Sequence, residues 1–154
     1  MAARLLSGVF VLVLVAAVAV GPLGVAVGES PTTPDEATVT VESVPTDTLT
    51  LDRGRFGSGR YHLDAPPAVV TAANVSGTPS VRYVIDVPGL WMTATTRRDL
   101  AGREGRLALA ASPATVSPDR VDRRRYNATV AVWVRTGSRD RDLLQRRITV
   151  EVES

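Results

Sequence analysis

The chain holds one histidine and no cysteine, and these two facts exclude most reactive-site chemistry. Thiolate nucleophiles, disulfides and cysteine metal sites go with the cysteine. A His-Glu-x-x-His helix or a several-histidine metal site needs more than His62 supplies. His62 stands on the polar side of an alternating stretch, with Arg60 and Asp64. As a general base it would need a nucleophile and an orienting group close in space. The chain contains no Gly-x-Ser-x-Gly frame to provide them, so His62 reads as a surface histidine. The carboxylate pairs Asp119/Asp122 and Asp140/Asp142 could offer oxygens to calcium. Each is interleaved with arginine (Arg120, Arg123; Arg139, Arg141), which opposes a divalent cation and favours local ion pairing. No pair is singled out for glycoside hydrolysis. The residues imply no cofactor and no metal.

Arginine is the conspicuous polar residue. All 18 basic side chains are arginine, and they gather at Arg120, Arg123, Arg124 and Arg125, then at Arg139, Arg141, Arg146 and Arg147. Such runs are either solvated and internally compensated or a contact surface for a polyanion, a lipid head group or an acidic partner. The candidate contact residues are Arg123, Arg124, Arg125, Arg139 and Arg141. Trp133 joins them because it falls on the face of its strand opposite the valines. It is either covered by an arginine or part of a partner surface. A formal net charge of +2 is too small to imply nucleic acid. Asn74-Val75-Ser76 and Asn127-Ala128-Thr129 are glycosylation acceptor triplets, relevant only to an exported domain.

Export is what the N-terminus implies. Leu5 to Val27 contains no charge and one polar residue, Ser7. Arg4 precedes the block and Glu29, Asp35 and Glu36 follow it, which orients the N-terminus to the cytoplasm and the remainder outside. At about 1.5 Å per residue a helix over the block is long enough to cross a bilayer if it survives Pro22. A breaker there also suits a signal peptide, with Ala26 and Gly28 supplying the small residues of a cleavage site. Cleavage after Gly28 is favoured by a narrow margin over an uncleaved anchor. The expected organisation is therefore 1–28 as signal peptide or signal anchor, 29–36 as a Pro/Thr/acidic spacer, and 37–154 as the domain.

Within 37–154 the hydrophobic period is two. Val39 and Val41, Leu49 and Leu51, Tyr61 and Leu63, and Val81 through Val87 alternate with polar residues. Weaker stretches run over Ala68–Val75, Leu90–Thr96 and Leu107–Ala111. The longest runs from Tyr126 to Val134, and Ile148, Val150 and Val152 close the chain. Turn signals at Pro45, Arg53-Gly54, Pro66-Pro67, Gly77-Thr78-Pro79, Pro88-Gly89, Ser117-Pro118 and Gly137-Ser138 separate them. Arg97–Arg106 and Arg139–Arg146 could each hold a helical turn, although neither has a full amphipathic pattern. This spacing of short strands predicts an all-β sandwich.

Two resemblances sharpen the expectation. Arg-only basic usage with abundant Val, Thr, Ala and Asp, a signal segment, an acidic Thr/Pro stretch and a short β domain resemble the small exported, uncharacterised proteins of halophilic archaea. The charge balance lacks the acidic excess of that group, and a high-GC actinobacterial chain would share the same usage. Asp122 to Ala128 has the spacing of the immunoglobulin-like tyrosine corner, with Ala128 where antibody domains carry cysteine. That resemblance implies an immunoglobulin-like antiparallel β-sandwich behind an N-terminal hydrophobic helix. In it Tyr126 begins the penultimate strand and its hydroxyl bonds back to nearby backbone. The functional expectation is a non-enzymatic envelope module. It is tied to the membrane through its first segment and binds an envelope protein or surface glycan. The alternative is a small exported hydrolase using carboxylates or His62.

Overall fold

A computed structural model of the chain describes residues 34–54 and 59–153. The Leu5–Val27 block, with the expected helix and cleavage site, lies outside them. Among the described residues ten strands form two sheets and there is no α-helix. The smaller sheet has the order β1 (Glu36–Ser43), β4 (Ala68–Ser76), β7 (Gly105–Leu109). The larger has β6 (Met92–Asp99), β5 (Ser80–Val87), β9 (Arg125–Thr136) and β10 (Arg139–Glu153), continuing through β2 (Thr48–Arg53), β3 (Tyr61–Asp64) and β8 (Thr115–Val116).

Alternation decides which side of each strand is covered. Val81, Tyr83, Ile85 and Val87 of β5 and Tyr126, Ala128, Val130, Val132 and Val134 of β9 are buried. They share one core with Val39, Val70 and Leu109 of the smaller sheet. Each fully covered Val, Ile or Leu contributes about 1.5–3 kcal/mol relative to an exposed one. Between them the two sheets supply the apolar surface that a chain without disulfides requires.

Four expectations are corrected. First, Arg139–Arg146 forms no helical turn. It is the first half of β10, paired with β9 from Arg139 opposite Thr136 onward. The Thr136-Gly137-Ser138 turn starts a ladder whose cross-strand bonds outweigh a weak helical preference. Second, Arg97–Arg106 contains the end of β6, a turn and the start of β7, because Leu100 is fully buried and draws the chain across to the other sheet. Third, the strand expected from Leu90 starts at Met92, after a 3-10 turn over Pro88–Leu90. Fourth, pairing is not antiparallel throughout. β10 runs parallel to β2, with Thr149 opposite Thr48 and Val152 opposite Leu51. The chain leaves the smaller sheet after β1 and enters the larger one through Val44 and Pro45, both buried. β2 therefore arrives pointing the same way as β10. Parallel neighbours need a long connection, and nearly the whole domain lies between these two strands.

The spacer also ends sooner than expected. Glu36 begins β1, and Asp35 ties two turns together. Its Oδ1 accepts from Thr78 N at 2.6 Å and Thr78 Oγ1 at 3.3 Å, and its Oδ2 accepts from Gly137 N at 3.0 Å. A β-carbon on Gly77, whose φ is +67°, would fall on the Asp35 carboxylate, so the turn after β4 needs glycine on both counts. The bond from Thr78 N, with those from Gly137 N and the Thr78 hydroxyl, holds the Asp35 carboxyl below its ordinary value of 3.8. A depressed folded value means that this contribution to stability is present above 3.8 and is lost as pH falls through the folded value. Asp35→Asn should therefore lower the urea midpoint at neutral pH, with the gap to wild type closing as pH falls below the ordinary carboxyl value of 3.8. A gap that stays constant with pH would show that the charge contributes nothing.

Candidate functional site

Between β5 and β6 the chain turns through Pro88, Gly89 and Leu90, and proline suits the first position because its φ is pre-set. Leu90 is fully buried and anchors the turn from within. Trp91 closes it, its N–H donating to Pro88 O at 3.0 Å, with φ 51° and ψ 40°. A left-handed conformation costs a residue with a β-carbon about 1–2 kcal/mol. The indole so presented is 86% exposed, the one large hydrophobic side chain left in solvent among the described residues.

The turn rests on β9. A β-carbon on Gly89 would lie 2.9 Å from Cδ1 of Tyr126, so backbone and ring are in close apposition. The Tyr126 hydroxyl accepts from Asp122 N at 2.8 Å and Arg123 N at 3.0 Å and donates to Asp122 Oδ1 at 2.9 Å. These bonds back to the preceding segment are what the tyrosine-corner spacing predicts. They fix the course of residues 122–125 and carry two arginines to the foot of the turn.

Here the surface is concave. A hollow of about 370 Å³ is lined by Pro88, Gly89, Arg123, Arg125, Tyr126 and Asn127. A second, of about 300 Å³, is lined by Pro88, Asn127, Ala128, Thr129 and Arg147. The two share Pro88 and Asn127, so the groove follows the first residues of β9. Its lining residues carry three guanidinium groups, an amide and two hydroxyls, and no carboxylate. Arg125 pairs with Glu151 at 2.7 Å and Arg123 with Asp122 at 3.7 Å, both pairs well exposed. Exposed pairs contribute ~0–1 kcal/mol and exchange readily with other anions. Arg147 lies opposite Thr129 on β10 and has no ion pair among the described residues.

No family model matches the chain, and no curated protein matches it. Among solved structures it is similar to the CooA pilin subunit from enterotoxigenic Escherichia coli. The identity is 12% and the TM-score 0.39, over 76% of this chain and 99% of that one.

The structure distributes the expected site residues over separate places. Arg123 and Arg125 line the groove and Arg124 is exposed between them. Arg139 and Arg141 start β10 at the far end of the β9–β10 hairpin, beside the turn held by Asp35, so these two do not join Arg123 and Arg125 in one surface. Asp140 reaches Arg135 across the hairpin at 3.9 Å, rather than the interleaved Arg139 or Arg141. Trp133 is half-buried on the outer face of the larger sheet, opposite Arg82 on one side and Asp142 on the other. Its Nε1 is enclosed and makes no hydrogen bond among the described residues. His62 is exposed on β3, opposite Asp52 and Thr115, away from the groove. Asn74 is exposed with φ 53°, at the irregularity between β1 and β4. Asn127 is also exposed and sits in the groove itself. Sequence reasoning missed Trp91 and Arg147 as site residues. A tryptophan directly after a Pro-Gly-Leu turn was the available signal for the first; the second belongs to the second arginine run, but nothing in the order of residues separates it from Arg146.

Proposed function

We propose that this chain is a non-enzymatic extracytoplasmic binding module, an immunoglobulin-like sandwich exported on its N-terminal hydrophobic segment. The observation that carries the binding reading is Trp91. Val87, Leu90 and Met92 are buried and anchor the turn, so packing does not require the exposed indole of Trp91, held in a left-handed conformation on a turn whose Pro88 and Gly89 line the groove. Tryptophan is enriched at contact sites relative to the rest of a protein surface.

The immunoglobulin-like reading draws support from the order of the larger sheet and from the way the chain divides its first strand. β1 pairs with β4 in one sheet, and β2 then pairs parallel with the last long strand in the other. Tyr126 opens the penultimate strand with its hydroxyl bonded to preceding backbone, and Tyr83 fills the centre of β5, where antibody domains carry a core tryptophan. Export draws support from the uncharged Leu5–Val27 block with its charge asymmetry. An envelope protein or a surface glycan is the partner class that such a location offers.

The test is retention on envelope fragments of the native host. Exported wild-type protein should co-sediment with them. Trp91→Ala should lower the apparent affinity about tenfold, the ~1.4 kcal/mol or more expected of an aromatic anchor. Its thermal midpoint should not change, because the indole is outside the core. Equal retention of wild type and variant would overturn the reading.

A further inference from the structure

We infer that the groove beside Trp91 binds a strand of anionic polysaccharide, whose carboxylate or sulfate groups are received by Arg123, Arg125 and Arg147. The inference rests on the binding reading above and names its ligand. No carboxylate lines either hollow. The carboxylates on neighbouring residues already have partners: Asp122 the Tyr126 hydroxyl and Arg123, Glu151 Arg125, and Asp86, opposite Thr129 in register, Thr93 Oγ1 at 2.7 Å. A guanidinium has five N–H donors in a planar fork, so Arg125 can hold Glu151 with one edge and still present others to a ligand oxygen.

The cations are divided between two adjoining hollows. Arg123 and Arg125 line the first hollow and Arg147 the second, with Asn127 common to both. Three cations converging on one point would suit a single phosphate; cations set along a groove suit a repeating charge. Each hollow is at the lower end of the size range of small-molecule sites, about 300–1,000 Å³, which fits one or two sugar units at a time. The amide of Asn127 and the hydroxyl of Thr129 can bond sugar hydroxyls between the charges. Trp91 adds a flat apolar face at the β5–β6 turn for the C–H side of a sugar ring. A protein partner would need an apolar patch, since interface cores are built from several apolar side chains. Trp91 stands alone in that respect among the described residues.

Binding of the exported, full-chain protein to immobilised polygalacturonate and to dextran sulfate, with neutral dextran as reference, tests this. One of the two anionic polymers should bind at least about tenfold tighter than dextran, and which one tells carboxylate from sulfate recognition. Arg147→Ala and Arg123→Ala should each weaken that binding about tenfold, as loss of a charge-assisted hydrogen bond does. Trp91→Ala should weaken it too, while Arg139→Ala with Arg141→Ala, at the other end of the hairpin, should not. Raised salt should weaken it further. Equal losses from the Arg139/Arg141 pair would mean diffuse charge attraction and would overturn the inference. Dextran bound as tightly as the anionic polymers, in a Trp91-dependent and salt-insensitive way, would overturn it while sustaining the binding reading. So would Trp91-dependent retention on envelope fragments with no polymer bound. If neither polymers nor envelope fragments distinguish wild type from Trp91→Ala, both fall.

Discussion

Tyr83→Ala should destabilise the domain by about 3–5 kcal/mol, the range for truncating a buried aromatic ring to a methyl group. Tyr83 is 1% exposed and is the largest fully buried side chain of the core. It stands at the middle of β5, between Val132 of β9 and Thr96 of β6 in register. Its hydroxyl donates to Pro66 O at 3.2 Å. Tyr83→Phe keeps the ring and removes only that bond, so it should cost about 0.5–1.5 kcal/mol. The two substitutions together separate packing from hydrogen bonding. Burial pushes the Tyr83 phenol up from 10.0 to about 12. A raised folded value means that the phenol's contribution is complete below 10 and is lost as pH rises toward 12. Urea midpoints of wild type and Tyr83→Phe, taken at about pH 8 and about pH 11, should therefore converge or cross at the higher pH. A loss under about 1 kcal/mol for Tyr83→Ala would mean that the two sheets do not close on this ring.

Tyr126→Phe is the second large effect, expected at about 1–3 kcal/mol. The ring stays packed under Gly89, but Asp122 N, Arg123 N and Asp122 Oδ1 lose the hydroxyl that joins them. Because these groups sit at the edge of the fold, water recovers part of the loss, which places the expectation within that range and below a core truncation. Tyr61→Phe, on half-buried β3, provides the comparison and should move stability by less than about 0.5 kcal/mol. Equal urea midpoints for wild type and Tyr126→Phe would show that the corner contributes nothing, and the immunoglobulin-like reading would lose its main support. A midpoint shift accompanied by weaker binding through Arg123 would tie the corner to the groove it shapes.

Strand alternation made most of the fold legible. Val81 to Val87 and Tyr126 to Val134 face the core as their period of two requires, because one face of each strand must be covered. The spacing of Asp122 and Tyr126 likewise specified a local set of bonds over four residues. Interactions confined to one strand or one turn depend on residue type and order, and those can be read directly.

What escaped reading depends on residues far apart in the chain. Arg139–Arg146 looked as fit for a helical turn as for a strand until β9 lay beside it. Asp35 looked like spacer because its partners, Thr78 and Gly137, are 43 and 102 positions away. The β2–β10 pairing joins strands from opposite ends of the domain. The groove depends on the same kind of encounter: Pro88 from one turn, Arg123 and Asn127 from the approach to β9, and Arg147 from β10. By itself the sequence determined an all-β fold for the described residues, an apolar N-terminal block, and one histidine with no cysteine. Which arginines stand together, and that Trp91 points to solvent while Leu90 points inward, only the tertiary structure decided. Burial on a turn is set by what packs against it, and that surface comes from a strand more than thirty residues further along the chain.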